Sequence, residues 1–199
     1  MAPASRILPR NVAEPPQESA PYGRWADRLR SEFLAAAQGF DHAGVPGEVV
    51  FYPDRTWHGR TYVPASAPTE LGMQLFGYVM YVPDTDGGEP TDFTASADCT
   101  EETAERNPEW QLDLCEEVIG SWRGEGGKVA AMTLVWGSAL RSGGAVVTAE
   151  LGNLAVDQCT LAQERFTLIA PDDYGGDLMV VRLWSSGGDQ VAEESLYDE

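Results

Sequence analysis

Basic residues and histidine are scarce in this sequence. It has 13 lysine and arginine residues against 32 aspartate and glutamate residues, and its formal net charge is −19. Such a charge repels phosphate backbones and anionic lipid, so neither nucleic acid nor a membrane surface is a predicted partner. His42 and His58 are the only histidines, which excludes a histidine-rich metal site. The charge by itself indicates solubility and nothing more specific.

Cysteine is also scarce, and its spacing fits neither a metal site nor a disulfide framework. Cys99, Cys115 and Cys159 form an odd set without a CxxC motif. No run approaches the roughly 18 apolar residues of a membrane span, and the N-terminal segment has no apolar signal-peptide core. We therefore expect a cytoplasmic protein with free thiols and no membrane span.

Familiar catalytic and metal-binding motifs are missing as well. No serine stands in a GxSxG elbow, and no thiol has a histidine in a matching sequence context. The Asp84–Asp92 segment, DTDGGEPTD, holds part of a calcium-loop pattern without the EF-hand ligand set, so we interpret it as a turn. We predict no metal and no cofactor.

The most informative segment that is present, Leu71–Cys99, predicts a β-hairpin. Its first arm, Leu71–Val82, is apolar on both faces, with Gln74, Phe76, Tyr78 and Met80 on one face and Met73, Leu75, Val79 and Tyr81 on the other. A strand that is apolar on both faces must be covered on both faces. In an antiparallel protein this pattern is typical of the wall of a closed barrel.

The rest of the chain predicts an all-β fold: a single antiparallel β-barrel of about eight strands over residues 40–187, with an N-terminal amphipathic capping helix over residues 23–39. Trp25, Leu29 and Phe33 fall at i, i+4 and i+8 of that helix and are the candidate lid residues. The helix could equally lie along the barrel wall or contact a partner chain in a homodimer. Residues 1–22 are proline-rich and expected to be flexible, and residues 188–199 form an acidic tail.

An inward-facing even side of the first arm would give the barrel a ligand-binding interior. Gln74 and Tyr78 then become the candidate catalytic hydrogen-bond donors. An apolar cavity with an amide and a phenol suits a mostly hydrocarbon ligand with one polar head, whereas the alternative is that the aromatic residues fill a dry core. The candidate substrate-binding residues are Phe76, Phe93, Met132, Trp136 and Gln163.

The Met80–Phe93 segment, MYVPDTDGGEPTDF, resembles the corresponding hairpin of the bacterial β-barrel cyclases that close spirotetronate and spirotetramate rings, the abyssomicin and pyrroindomycin cyclase type. The resemblance implies a barrel similar to allene oxide cyclase and dirigent proteins. It also implies a cofactor-free intramolecular [4+2] cycloaddition, of Diels–Alder type, on a linear polyene tetronate or tetramate in polyketide biosynthesis. In the pyrroindomycin type a helix caps the barrel mouth, and Gly23–Gln38 is its counterpart. The family's active-site tyrosine corresponds to Phe93, which lacks the hydroxyl.

Two further hypotheses remain open beside the cyclase. The Ile119–Gly127 segment, IGSWRGEGG, is similar to the opening of lipocalin-type and haem-binding nitrobindin-like barrels, but no histidine follows it, so we do not predict haem. The protein could instead be a lipocalin-like carrier that binds a hydrophobic small molecule without changing it. A third hypothesis is an acidic interaction protein whose barrel is solid. A cavity would separate the third hypothesis from the first two, and turnover would separate the first from the second.

Overall fold

A computed structural model describes residues 23–84, 86, 88–123, 127–152, 154–173 and 176–197. The predicted flexible segment 1–22 and parts of the predicted turn at Asp84–Asp92 lie outside these residues. A short 3₁₀ turn, Gly23–Trp25, leads into helix α1, Ala26–Ala36, which is followed by 3₁₀ turns at Ala37–Gly39 and Asp41–Ala43. The helix predicted over Gly23–Gln38 is therefore present.

Twelve strands follow in the described residues. They are β1 Val50–Phe51, β2 Arg55–Trp57, β3 Arg60–Pro68, β4 Gln74–Val82, β5 Thr91–Thr100, β6 Leu112–Arg123, β7 Val129–Ala139, β8 Gly144–Leu151, β9 Leu154–Thr160, β10 Arg165–Asp172, β11 Met179–Ser185 and β12 Gln190–Ser195. The prediction of an all-β protein is correct. The central hairpin is present as β4 and β5.

The strands form three open antiparallel sheets in the described part of the chain, and the predicted single closed barrel is not found. Sheet I has the order β1-β3-β4-β5, with β2 also paired to β3. Sheet II has the order β10-β7-β6, and sheet III has the order β12-β11-β8-β9. The barrel was predicted because a strand that is apolar on both faces is typical of a barrel wall, but other layers can also cover both faces.

Helix α1 covers one face of sheet I, which explains why the odd-numbered face of β4 is apolar. Leu29 and Phe33 are completely buried against the odd-numbered side chains of the sheet, among them Leu75 and Val79. Burying two such side chains contributes roughly 1.5–3 kcal/mol each. The helix thus lies on the face of a sheet. The prediction that it lies across a barrel mouth is wrong.

The even-numbered side chains of β4 point the other way, towards sheet II. Phe76, Tyr78 and Met80 pack with a buried cluster that includes Met132, Leu134 and Trp136 of β7 and Ile169 of β10. Both faces of β4 are therefore covered, as the sequence pattern required. The covering layers are a helix and a second sheet, not the outside and inside of one barrel.

Sheets II and III face each other across the largest core of the molecule. Side chains from all seven strands of these two sheets fill it, including Val135, Leu168 and Leu183, which are fully buried. The acidic C-terminal segment takes part, because β12 pairs with β11 and Ala192 is buried in the same core. The Tyr197 hydroxyl donates a hydrogen bond to Asp172 at the end of β10. The predicted tail is thus an edge strand with a docked end.

A buried ion pair joins all three sheets. The guanidinium of Arg55 in β2 lies 2.6 Å from a carboxylate oxygen of Asp157 in β9, and both side chains are almost completely buried. Arg55 also donates to the backbone oxygens of Gln158 and Thr167, at 3.2 and 3.1 Å. The second oxygen of Asp157 accepts the backbone N–H of Ile169 at 2.8 Å.

These contacts give a physical reason for the open sheets. β9 and β10 are neighbours, yet the backbone oxygens of Gln158 and Thr167 and the N–H of Ile169 are bonded to side chains. Those groups are satisfied without pairing between the two strands, as buried backbone groups must be. Burial raises the pKa of Asp157, and the Arg55 guanidinium and the Ile169 N–H oppose that rise.

Replacing Arg55 with leucine should strongly destabilise the fold, because Asp157 would remain buried without its counter-ion. We expect the free energy of unfolding, measured by urea denaturation, to fall by about 3–5 kcal/mol. The double variant with Asp157→Leu should lose less than the sum of the two single changes.

Arg30→Ala is the matched control, because Arg30 pairs with Asp27 on the exposed surface of α1 at 3.2 Å. Exposed pairs contribute little, so the control should change the unfolding free energy by less than about 1 kcal/mol. Equal effects of Arg55→Leu and Arg30→Ala would contradict the role given to the buried pair.

Candidate functional site: an acidic cleft between sheets I and II

A cleft of about 360 Å³ lies between the β4–β5 edge of sheet I and strand β6 of sheet II. Sheet I and the loop that follows it contribute Gln74, Phe76, Asp98, Thr100, Glu102 and Trp110. β6 contributes Asp113, Leu114, Cys115, Glu116 and Glu117. The cleft is therefore formed by segments that lie up to 43 positions apart in the sequence (74 to 117).

Strand register places the sheet I residues on one face. Gln74 is the Cα partner of Thr100, and Phe76 is the partner of Asp98, so all four side chains share the side of the sheet that faces away from α1. Cross-strand partners in an antiparallel sheet project from the same face. The amide, the aromatic ring and the carboxylate thus line one wall of the cleft.

The opposite wall is set by β6. Cys115 is the Cα partner of Trp136 in β7, and Glu117 is the partner of Leu134, so these residues share the side of sheet II that faces sheet I. The register of β6 shifts between Val118 and Gly120. A Cβ at Gly120 would lie 2.6 Å from the ring of Trp57, so a glycine permits the ring to approach the strand.

A second cleft, of about 320 Å³, adjoins the first. Trp110, Leu114, Cys115 and Glu116 line both clefts, and the second extends past them to Glu194 and Leu196 near the end of β12. The segment from Trp110 to Glu116 is therefore the shared wall of a longer depression.

The electrostatic character of the first cleft is strongly acidic. Among the described residues that line it, five are acidic and none is basic; the acidic ones are Asp98, Glu102, Asp113, Glu116 and Glu117. Burial and the nearby charge of Glu105 raise the pKa of Asp113. Burial, with repulsion from Asp172 and Glu117, raises the pKa of Glu116. These two carboxyl groups are the ones most readily protonated in the cleft wall.

Tyrosine and tryptophan side chains form an aromatic cluster beside the cleft. The rings of Tyr62 and Tyr78 are 5.7 Å apart and tilted by 57°. Burial, with the charge of Glu117 and the neighbouring Tyr62, raises the pKa of Tyr78, so the phenol stays protonated. Trp136 is almost fully buried in the same cluster.

The structure brings together part of the predicted site. Gln74 and Phe76 line the cleft, and Tyr78, Met132 and Trp136 lie in the adjoining aromatic cluster. Phe93 lies on the opposite face of sheet I, where its ring centroid is 5.3 Å from that of Tyr81 and the two rings are tilted by 31°. The Arg28 guanidinium of α1 lies over the Phe93 ring at 3.7 Å, so this residue contacts the helix.

The remaining predicted residues also lie away from the cleft. Gln163 is exposed in the turn between β9 and β10, with a φ of 53°, and its side chain accepts a hydrogen bond from Arg165 at 3.4 Å. Trp25, Leu29 and Phe33 pack between α1 and sheet I. Their stripe faces the sheet because sheet I offers the nearest continuous apolar surface.

Sequence reasoning did not select Trp110, Asp113, Cys115 or Glu116. Twelve acidic residues between Asp84 and Glu117 were a visible signal, but they were interpreted as a solubilising charge. Along β6, Leu112 and Leu114 alternate with Asp113 and Cys115, so the two pairs lie on opposite faces of the strand. This alternation was a signal from which an acidic side chain beside the predicted aromatic residues could have been predicted.

No protein-family model, curated protein or solved structure matches the chain. In the described part of the chain, no helix is long and apolar enough to cross a membrane. Nor do the described histidine, cysteine, aspartate and glutamate side chains include a group of three or more that could hold a metal ion.

The raised pKa values of Asp113 and Glu116 predict that the fold is more stable in mild acid than at neutral pH. Above about pH 4, the usual carboxyl range, the native state holds more protons than the unfolded state. Stability therefore falls as the pH rises from about 4 through the raised native values. We expect the melting temperature at constant ionic strength to decrease from pH 5 to pH 7.5.

Asp113→Asn and Glu116→Gln should each reduce that slope, because the amide side chains do not titrate. Glu70→Gln, at an exposed position that is not part of the cleft lining, is the matched control for the general effect of one fewer negative charge. A slope that falls equally in all three variants would mean that overall charge, and not the cleft, determines the pH dependence.

Proposed function

We propose that this protein is a cofactor-free cyclase that catalyses an intramolecular [4+2] cycloaddition of a linear polyene tetronate or tetramate, and that the reaction takes place in the cleft between β4 and β6. The observation that carries the proposal is the position of Gln74 and Phe76, which line one cleft beside the aromatic cluster of Tyr78 and Trp136. The hairpin resemblance at Met80–Phe93 supports the same activity.

The chemistry needs no nucleophile. A flexible polyene reacts when its diene and dienophile are held close together, and holding them in the reactive geometry removes several kcal/mol of entropic barrier. The rings of Phe76 and Trp110, which both line the cleft, provide surfaces against which the hydrocarbon chain packs. Two walls that belong to different sheets suit a folded, and not an extended, chain.

A hydrogen bond to the ring carbonyl would stabilise charge that develops in the transition state. The Gln74 amide is one donor, and the Asp113 carboxyl in its protonated form is a second. The described side chains that line the cleft include five acidic and no basic ones, which disfavours an anionic ligand, so the ring binds in its neutral form. Tyr78 then supports the wall and does not donate to the substrate.

A lipocalin-like carrier is the second candidate function. The observation that favours it is the same set of five carboxyl groups, which would hold an apolar molecule with a protonated amine without any chemical change. Opposite charges in a partly buried site attract each other more strongly than in water. Turnover distinguishes the two functions, because a carrier returns its ligand unaltered.

Incubation with a linear polyene tetramate should yield a cyclised isomer of unchanged mass, detected by chromatography with mass spectrometry. Gln74→Ala should lower kcat by about tenfold, less than the loss of a donor to a full oxyanion. Gln158→Ala, at an exposed position of β9, is the matched control and should leave kcat unchanged. Binding without conversion would favour the carrier, and an absence of binding would contradict both functions.

The pH dependence of turnover tests the role of Asp113 separately. If the protonated carboxyl donates to the substrate, kcat should rise as the pH falls through the raised pKa of Asp113. Asp113→Asn keeps a donor and removes the titration, so its kcat should be independent of pH. A variant that keeps the wild-type pH profile would show that another group is responsible.

A further inference from the structure

We propose that Cys99 and His42 form a nucleophilic dyad that accepts an acyl group from an acyl thioester, with the acyl chain held in an apolar groove between the helical segment and β4. This activity goes beyond the proposed cycloaddition and uses a different site. Cys99 belongs to β5, whose neighbouring residues Asp98 and Thr100 face the acidic cleft. Its side chain points to the opposite face, where it packs beside the core under α1.

The geometry of the pair is that of a thiol and its base. The Cys99 Sγ lies 3.3 Å from the His42 Nε2, although the residues are 57 positions apart. The thiol donates to Nε2 when the imidazole carries its proton on Nδ1. The ring of Phe40 meets the His42 ring edge-on at 6.1 Å and supports it from the side. His42 is exposed and Cys99 half-buried, so a ligand can reach both.

The other two thiols lack such a partner for nucleophilic attack. Cys159 is buried, and its thiol donates to the backbone oxygen of Thr160 at 3.3 Å. Burial and the charges of Asp113 and Glu116 strongly raise the pKa of the Cys115 thiol. The thiolate is the nucleophile, and the structure gives neither of these thiols a base that would take its proton, so both are expected to be unreactive. Cys99 is the only one of the three for which the structure gives a contact with imidazole.

A groove of about 300 Å³ lies next to the dyad. Its apolar walls are Leu34, Ala37, Phe40, Pro46 and Leu75, and Asp41 is the one charged residue among the described residues that line it. Leu75 is the Cα partner of Cys99, and Phe40 and Asp41 directly precede His42, so the dyad stands at the border of the groove. The nucleophile therefore lies beside a groove that suits a hydrocarbon chain.

The rim of the groove is also apolar. Val45 and Leu71 are 62% and 60% exposed, and they flank the groove residues Gly44 and Pro46. Gly44 has a φ of +84°, and a Cβ there would lie 2.8 Å from the Leu71 side chain. Large side chains exposed beside an apolar groove mark a binding surface. An acyl chain longer than the groove would continue over these two residues.

The proposed acyl transfer needs no reactant other than the thioester. As the Cys99 sulfur attacks the thioester carbonyl, its proton passes to Nε2 of His42, and a new carbon–sulfur bond forms. The carbon–sulfur bond of the incoming thioester then breaks, and the departing thiolate takes the proton from the imidazolium. Partial burial and the charge of Asp98 raise the pKa of the Cys99 thiol, so it remains protonated until a base acts on it. His42 supplies that base.

The experiment uses the full chain and two probes, the octanoyl and acetyl thioesters of N-acetylcysteamine. Intact-protein mass spectrometry should detect one acyl group, and peptide mapping should locate it on Cys99. Octanoyl transfer should be at least tenfold faster than acetyl transfer, because the groove binds the longer chain. Cys99→Ser should remove the thioester-linked product.

His42→Ala should slow octanoyl transfer by about 100-fold, the typical contribution of a general base. His58→Ala is the matched control, since His58 is the other histidine and stacks on Trp57 away from Cys99. Leu34→Asp should abolish the preference for octanoyl over acetyl. Circular dichroism verifies folding, and the chain-length comparison on the wild-type protein stands even if a variant unfolds.

Three results would overturn the proposal. The first is acylation of Cys115 or Cys159 at the rate of Cys99. The second is a folded His42→Ala variant that reacts as fast as the wild-type protein. The third is equal transfer of acetyl and octanoyl groups to the wild-type protein. The cyclisation assay has different probes and different variants, so failure at the dyad leaves the cleft proposal unaffected.

Discussion

The ion pair between Arg55 and Asp157 is the contact on which the arrangement of the three sheets depends. Arg55 comes from sheet I, Asp157 from sheet III, and the backbone of Thr167 and Ile169 in sheet II completes the network. Two charges removed from water are tolerated because each is paired and hydrogen-bonded. The network fixes how β2, β9 and β10 meet.

Sheet I has two different chemical surfaces because alternate residues of its strands project to opposite sides. On β5 the carboxylate of Asp98 faces sheet II, while the thiol of Cys99 faces the helical segment. One face is acidic and aromatic, and the other is apolar with a thiol and an imidazole at its border. The acidic cleft and the Cys99–His42 pair are therefore separated by the thickness of a single sheet. Helix α1 makes this possible, since it covers most of the second face and leaves a groove at its C-terminal end.

The net charge does not show where the acidic residues lie in the folded protein. Asp98, Asp113 and Glu117 belong to one acidic stretch of the sequence, and the fold places them around one cleft with no basic residue among the described lining side chains. Repulsion and burial then raise the pKa values of Asp113 and Glu116. A carboxyl group with a raised pKa is protonated more readily, and in its protonated form it is a hydrogen-bond donor as well as an acid. The same number of carboxylates spread over the surface would contribute only to solubility.

Local patterns in the sequence determined the secondary structure: the i, i+4, i+8 stripe of Trp25, Leu29 and Phe33 marked the helix, and two-sided alternation marked β4. The same alternation grouped Gln74, Phe76 and Tyr78 on one face and required a cover for both faces. Only the tertiary structure decided that a helix and a second sheet provide the covers, that Phe93 faces the helix, and that Gln163 lies in an exposed turn. It alone brought Cys99 to His42, 57 positions away. The physical reason is that periodicity specifies which residues share a face, whereas packing between segments distant in sequence determines what covers that face. Side chains such as Arg55 can also take the place of backbone pairing where a barrel would close.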